Sequence, residues 1–168
     1  MVVIRQAVET DRERLATLMQ EYIVKFCEQP APSRKALTLH IKRLLNNPSY
    51  GIQFVAELEG KLVGFATVYV SWSTYYFKET AILKDLYVSP LNRGNKIGER
   101  LFKICLAYSQ KYEFAGMTAE CSSENKVAQN LYQKMNGKEN AGVQYRFFKR
   151  SAAFTFKTST KWQKYVIV

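Results

Sequence analysis

Apolar residues in this chain change several times between helical and strand spacing, and the order of these changes limits the folds it can adopt. Repeats of three and four residues predict helices, whereas short apolar runs between turn residues predict strands. The predicted strands are VVIR, IQFVAEL, KLVGFATVYV, AILKDLYV, FAGMTAEC and KYVIV. The predicted helical faces are Leu15, Leu18, Met19, Tyr22 and Phe26; Leu37, Ile41, Leu44 and Leu45; Ile97, Leu101, Ile104, Cys105 and Tyr108; and Val127, Ala128, Leu131, Tyr132 and Met135. This order favours a mixed α/β fold with helices packed on a sheet.

Local signals mark where these elements begin and end. Thr10 and Glu13 have the spacing of a capping box before the first helix, and Ser33 can cap the second. The pair Glu59-Gly60 predicts the two-residue turn of a β-hairpin. Because no repeat, low-complexity tract or linker divides the chain, we expect one domain over residues 1–168.

Composition narrows the class of protein. A hydrophobic fraction of 47%, with 14% aromatic residues, is too high for a disordered chain, and the apolar runs are too short to cross a membrane. Acidic and basic residues lie within a dozen positions of Met1, which is not typical of a signal peptide. We therefore expect a cytoplasmic protein that has no membrane partner.

Cysteine and histidine content argues against metal chemistry. Cys27, Cys105 and Cys121 are widely spaced and match neither a disulfide framework nor a zinc motif, so we expect reduced, structural thiols. His40 is the one histidine in the chain, and we expect a structural role for it. No metal site is predicted.

The net charge of +11 suggests a polyanionic partner, and both nucleic acid and a phosphorylated cofactor would qualify. Six bases and no acid follow Asn140, so this C-terminal stretch carries +6 of the total. A solvated edge of a sheet would also explain such a stretch. One alternative function is therefore a basic nucleic-acid-binding module with stacking aromatic residues, although we consider nucleic acid the less favoured partner.

The stretch SPLNRGNKIGERLF, residues 89–102, lies where a predicted strand passes into a predicted helix. Amides in the first turn of a helix have no intrahelical partners, and the helix dipole places partial positive charge there. Gly94 and Gly98 allow a phosphate to approach the backbone closely, while Arg93 and Lys96 add cationic donors. This stretch alone is equally consistent with an ordinary turn between strand and helix.

A second stretch, ENKVAQNLYQKMNG at residues 124–137, favours the phosphate site. Together the two stretches resemble the Gcn5-related N-acetyltransferase (GNAT) family, with its pyrophosphate loop and its downstream Asn, Ala, Leu-Tyr and Lys pattern. Lys96 stands where the family's loop has its middle glycine. The resemblance implies a mostly antiparallel sheet with flanking helices, in which two neighbouring strands splay apart and the pantetheine arm of acetyl-CoA enters between them.

What the resemblance implies is an N-acetyltransferase that moves an acetyl group from acetyl-CoA to a primary amine by direct attack in a ternary complex. Tyr132 would donate a proton to the leaving thiolate, although helix packing would also explain a tyrosine at this position. The residues implied in cofactor binding are Leu86, Tyr87, Val88, Arg93, Gly94, Asn95, Lys96, Ile97, Gly98, Glu99, Asn125 and Lys134. A protein that binds acetyl-CoA without turnover is another alternative.

The general base and the acceptor are less clearly indicated. STYYFKETAILKDLYV is similar to the diamine acetyltransferase branch, in which a glutamate precedes an aspartate; here these positions are Lys84 and Asp85. Strand alternation separates the two side chains unless a β-bulge intervenes, so Asp85 is one candidate base. Water-linked Glu57, Glu79 or Glu120 would serve equally well. The acceptor is expected to be a small-molecule or peptide amine, and a homodimer remains open.

Aromatic residues cluster before the AILKDLYV strand. They are Tyr69, Trp72, Tyr75, Tyr76 and Phe77. Such a cluster could form an aromatic wall of the acceptor pocket, or it could be satellite core packing.

Overall fold

A five-stranded sheet organises the part of the chain that the structure, a computed structural model, describes, which is residues 1–140. Its strands lie side by side in chain order, and all neighbours are antiparallel except β4 and β5, which are parallel. The strands are β1 (Val2–Gln6), β2 (Gly51–Leu58), β3 (Lys61–Ser73), β4 (Lys78–Val88) and β5 (Met117–Ala119). The helices are α1 (Arg12–Glu21), α2 (Arg34–Asn46), α3 (Ile97–Lys111) and α4 (Lys126–Lys134). The predicted final strand, KYVIV, lies outside the described residues.

The helices cover both faces of the sheet. On one face, α1 and α2 pack their apolar residues against inward-facing side chains such as Val55, Phe65 and Tyr87. On the other face, α3 and α4 pack against residues that include Ala66, Val68 and Leu86. The predicted mixed α/β fold with a mostly antiparallel sheet is therefore confirmed.

The first helix begins differently from the prediction. The Thr10 side chain does not cap α1. Instead a short 3-10 turn precedes the helix, and the Asp11 carboxylate accepts a hydrogen bond from the Val8 N–H at 2.9 Å. Arg5 donates to both Asp11 oxygens, at 2.5 and 2.9 Å, and this ion pair holds the pKa of Asp11 below its usual range. The buried carboxylate therefore replaces the predicted capping box.

A π-helical turn, Tyr22–Phe26, extends α1 beyond Glu21. Single π-helical turns within helices are frequent near functional sites. Here the turn carries Tyr22, which is 3% exposed, onto the sheet, where its ring contacts those of Phe65 and Tyr87 at 5.6 and 5.4 Å.

Two predicted boundaries are confirmed. Ser33 Oγ accepts the backbone N–H of Ala36 at 3.2 Å, so this serine caps α2. Glu59 and Gly60 join β2 to β3 with φ angles of 50° and 77°. Positive φ at both positions matches the right-handed twist of a hairpin.

A β-bulge separates the two halves of β4. The pairing with β3 passes from Leu83, opposite Val68, to Asp85, opposite Thr67, so Lys84 is the extra residue. Pairing with β5 stops at the same point, because its last pair joins Leu83 to Ala119. The strand predicted as FAGMTAEC is thus only three residues long, and β4 diverges from it at the bulge.

No helix among the described residues is long and apolar enough to span a membrane.

Candidate active site

The second half of β4, beyond the bulge, pairs with a strand on one side only among the described residues. Leu86, Tyr87 and Val88 pair with β3 on one side, whereas no pairs to β5 extend past Leu83 in the described part of the chain. Their side chains are buried in the two hydrophobic clusters, which fixes the backbone firmly. This geometry agrees with the predicted entry of a pantetheine arm between splayed strands.

In the loop after β4, Lys96 adopts a backbone conformation that is typical of glycine. This residue adopts φ 58° and ψ 16°, a left-handed conformation, and its backbone immediately precedes the first turn of α3. Gly94 is also left-handed, with φ 81°, and open space surrounds the position where a side chain would begin. The lysine therefore keeps the loop conformation while its exposed ammonium adds positive charge at the helix N-terminus.

The side chain of Arg93 turns back onto the end of β4. Its Nε donates to the Val88 carbonyl at 3.0 Å, and its guanidinium lies 5.8 Å from the centre of the Tyr87 ring. Asn95 also bonds within the loop, to the Asn92 carbonyl at 3.3 Å. These contacts hold the loop against the strand, and they engage the carbonyl of Val88, one of the residues predicted to bind the cofactor.

Glu99 and Lys134 are bonded to each other. Glu99 lies in the first turn of α3 and accepts from Lys103 at 2.8 Å and from Lys134, at the end of α4, at 2.6 Å. Hydrogen bonds from Lys103 and Lys134 lower the pKa of Glu99 to about 2. Two predicted cofactor-binding residues therefore join α3 to α4 at the rim of the loop.

Two polar atoms on α4 are buried without a hydrogen-bond partner among the described residues. One is the hydroxyl of Tyr132, whose ring packs on Phe102 at 5.6 Å; the other is Nδ2 of Asn125. The other amide atom of Asn125, Oδ1, caps α4 by accepting the Ala128 N–H at 3.1 Å. Burial raises the pKa of Tyr132 well above its usual value, and the nearby Cys121 raises it further. The phenol therefore keeps its proton at neutral pH.

Asp85 is a half-buried carboxylate on the face of the sheet that α1 and α2 cover. Burial raises its pKa, while interactions with the Thr67 hydroxyl, the Lys84 ammonium and the Tyr22 hydroxyl act in the opposite direction. Buried groups with shifted pKa values are characteristic of catalytic acids and bases. The β-bulge that the sequence left open is present: the pairing register shifts at Lys84, and Asp85 lies opposite Thr67.

The other predicted candidates lie in different surroundings. Glu57 hydrogen bonds to Arg5 on β1, and Glu79 lies at the opposite end of β4 from the loop. Four of the clustered aromatic residues are exposed on the β3–β4 hairpin: Trp72 (65%), Tyr75 (82%), Tyr76 (59%) and Phe77 (78%). Core packing is therefore the wrong interpretation for these four within the described structure.

Tyr69, the remaining aromatic residue of that cluster, faces the α2 side of the sheet. Its hydroxyl lies 3.3 Å from Nε2 of His40, and burial together with the Asp85 charge raises the pKa of Tyr69 to about 12. Burial lowers the pKa of His40, with a further contribution from Arg43. His40 is therefore neutral at physiological pH, in keeping with the expected structural role.

These features fit a CoA thioester. The helix N-terminus and loop suit a pyrophosphate, the open edge of β4 suits an amide-bearing arm, and the orphaned polar atoms of Asn125 and Tyr132 offer donors at α4. Apolar packing on both faces of the sheet holds this part of β4 in place.

The comparisons with known proteins agree with this geometry. The Acetyltransferase (GNAT) family profile matches residues 14–137. The chain is 30% identical to an uncharacterized N-acetyltransferase of Bacillus subtilis, YhfO, over 83% of this chain and 91% of that protein. The chain belongs to the GNAT family, and it is an acyltransferase.

Solved structures show the same fold. A crystal structure of a probable acetyltransferase matches with a TM-score of 0.78 at 22% identity, covering 89% of this chain and 98% of the other. A second, described as a predicted acetyltransferase with acetyl-CoA from Clostridium acetobutylicum, matches with a TM-score of 0.74 at 17% identity, over 88% and 96%.

Sequence reasoning missed the residues that surround Asp85. Tyr22 was expected only as an apolar contact of its helix, and Thr67 and Gln53 were not singled out. The hairpin turn at Glu59-Gly60 was not a sufficient signal, because a register shift between Ala56 and Glu57 lies between the turn and the pair formed by Gln53 and Thr67.

Proposed function

We propose that this chain transfers the acetyl group of acetyl-CoA to a primary amine by direct attack in a ternary complex. The observation that supports it most strongly is the orphaned Tyr132 hydroxyl, which has no structural partner in the described chain although it is buried. Such a group is costly unless a ligand completes it. Family membership supports the same reaction class.

In this proposal, acetyl-CoA supplies a thioester whose carbonyl carbon the acceptor nitrogen attacks and whose sulfur leaves as a thiol. Asp85 takes a proton from the acceptor ammonium, which frees the nitrogen lone pair, and then releases that proton to solvent. Tyr132 Oη holds its proton at neutral pH and gives it to the leaving sulfur as the C–S bond breaks. The nitrogen of the tetrahedral intermediate then loses its second proton, which returns to the phenol through solvent, so that Tyr132 is restored. Backbone groups of Leu86, Tyr87 and Val88 orient the reacting carbonyl.

The loop contributes mainly electrostatic binding, which can be tested by reversing one charge. Lys96→Glu is expected to weaken acetyl-CoA binding about tenfold, because an exposed attraction beside a diphosphate becomes a repulsion. Isothermal titration calorimetry at low and high salt would measure the change. Lys111→Glu at the other end of α3 is the matched control and should bind normally. Equal affinity in both variants would contradict the loop assignment.

The acceptor is proposed to be a mono-amine, an amino acid or a peptide amine with a nearby carboxylate. Lys84 is exposed beside Asp85, and α2 carries four basic residues and no acid. A second ammonium about 6 Å from one of these charges would be repelled by up to about 3 kcal/mol before screening. Polyamines should therefore be poor substrates.

A matched pair of acceptors makes the comparison sharp. Butane-1,4-diamine and 4-aminobutanoate have the same chain length but carry a second ammonium or a carboxylate. We expect up to about a hundredfold higher kcat/KM for the amino acid, measured as free thiol released from acetyl-CoA. Lys84→Glu should narrow or reverse the preference. A wild-type preference for the diamine would contradict the proposal, and acetyl-CoA binding without turnover of any amine would indicate a silent binding protein.

A further inference from the structure

Three polar side chains form a row across three adjacent strands, on the α1 side of the sheet. Gln53 on β2 lies opposite Thr67 on β3, and Thr67 lies opposite Asp85 on β4. Gln53 is 3% exposed and Thr67 is fully buried. Their side chains are bonded, with 3.2 Å between Gln53 Nε2 and Thr67 Oγ1. A row of polar side chains in register inside a sheet requires a reason, because apolar residues would pack there without any hydrogen-bond requirement.

The surroundings of Gln53 fix the direction of its hydrogen bond. Nε2 also lies 3.5 Å from the Met19 sulfur, which can accept a hydrogen bond but has no proton to donate. The amide nitrogen therefore faces Thr67 and donates to its oxygen. A threonine hydroxyl has one proton, and the Asp85 carboxylate beside it is the available acceptor.

Neutral groups make up most of the remaining environment of Asp85. Tyr22 and Cys27 face it from the end of α1, and Tyr69, which contacts His40 of α2, faces it from β3. Lys84 is the neighbouring charge on β4 itself. Because Lys84 is the one charged group beside it among these residues, the ionised carboxylate depends strongly on the hydroxyl donors of Thr67 and Tyr22.

The row keeps one buried polar atom without a partner. Gln53 Oε1 accepts no hydrogen bond from any described residue. A leucine of similar size would avoid the cost of this orphaned oxygen. The amide is therefore best explained by what its nitrogen does, which is to orient the Thr67 hydroxyl.

We propose that Gln53 and Thr67 are positioning residues that hold the Asp85 carboxylate ionised and oriented, with Gln53 acting through Thr67. The inference rests on the proposed function in so far as Asp85 is the base that receives the acceptor's proton. The row itself makes a separate statement about the ionisation of Asp85, which can be measured without any substrate.

The chain contains two aspartates, Asp11 and Asp85, so selective labelling gives a simple measurement. Carbon-13 NMR of the aspartate carboxyls of the full-length protein, followed through a pH titration, reports both groups. In Thr67→Val the ratio of carboxylate to carboxylic acid at Asp85 is expected to fall about tenfold at a fixed pH, since a hydrogen bond to the charged form is lost. Thr67→Ser keeps the hydroxyl and should retain the wild-type ratio.

Gln53→Leu tests the indirect role. The Thr67 hydroxyl remains but is no longer polarised by the amide, so the ratio at Asp85 should fall by about twofold to threefold. Adding Gln53→Leu to Thr67→Val should cause no further fall, because the two residues act in series. The single variant Gln53→Leu also keeps the proposal testable if Thr67→Val does not fold.

The controls separate an electrostatic effect from general disturbance. Asp11 is held by Arg5 and should titrate as in the wild type in every variant. Thr80 lies on β4 with Asp85, but its hydroxyl donates to the Ser71 carbonyl. Thr80→Val should therefore leave the titration of Asp85 unchanged. Unchanged titration of Asp85 in both Thr67→Val and Gln53→Leu would overturn the proposal, as would equal shifts in Thr80→Val.

The proposal and the proposed function can fail separately. Suppose that the expected NMR changes occur and that the acid limb of the kcat/KM profile moves to higher pH in Thr67→Val. This result supports both the positioning role of Gln53 and Thr67 and the role of Asp85 as the base. If the NMR changes occur while Asp85→Asn keeps wild-type kcat/KM, the row controls the carboxylate as inferred but Asp85 is not the base; this result overturns the catalytic part alone.

Discussion

Asp85→Asn is expected to lower kcat/KM by about two to four orders of magnitude, because the variant lacks the proposed acceptor for the amine's proton. Its amide occupies nearly the same volume, and acetyl-CoA affinity should therefore remain close to that of the wild type. Steady-state kinetics with the preferred amine and calorimetry with acetyl-CoA would measure the two quantities separately. Wild-type turnover would instead favour a water-linked base such as Glu120.

The same variant should be more stable than the wild type at neutral pH. Burial raises the pKa of Asp85 in the folded chain, so folding favours its protonated form. That stabilisation is fully present at a pH below the pKa of Asp85 in the unfolded chain, which is about 4. It is lost as the pH rises through the higher pKa of Asp85 in the folded chain. Asparagine stays neutral throughout. Melting temperatures compared at acid and neutral pH should show an advantage for Asp85→Asn that appears only as the pH rises.

Tyr132→Phe is expected to lower turnover about tenfold to a thousandfold with little change in acetyl-CoA affinity. The substitution removes a buried hydroxyl that lacks a partner among the described residues and keeps the ring that packs on Phe102. Stability should hold or rise. Tyr108→Phe, in an aromatic cluster with Tyr112 and Phe114, is the matched control. Unchanged turnover with lower thermal stability would show that Tyr132 serves packing only.

Features of the fold that depend on neighbouring residues in the sequence could be predicted. Ser33 lies three residues before the N–H that it caps, and Glu59-Gly60 specifies a hairpin by backbone conformation alone. The start of α1 was predicted incorrectly because the Asp11 carboxylate is held by Arg5 of β1 and by the Val8 N–H. The β5 strand proved short because pairing ends at the bulge of β4.

The candidate site divides in the same way. Motif spacing brought out Tyr132 and Asn125, and the structure leaves a polar atom of each without a partner among the described residues. Thr67 and Gln53 could not be identified because their importance arises from register across three strands. A shift of one residue would place both on the opposite face of the sheet. Tyr22 was correctly placed on the apolar face of its helix, but the approach of its hydroxyl to Asp85 depends on tertiary packing that local spacing does not encode.

The bulge at Lys84 also bears on the hydrophobic pattern of β4. Leu83 and Leu86 belong to one hydrophobic cluster, and Asp85 lies between them on the other face. Without Lys84, the remaining residues of β4 would still alternate correctly, and a straight strand could continue its pairing with β5 beyond Ala119. One extra residue therefore marks the point where β4 stops pairing with β5, and the alternation of buried side chains on both sides of that point is preserved.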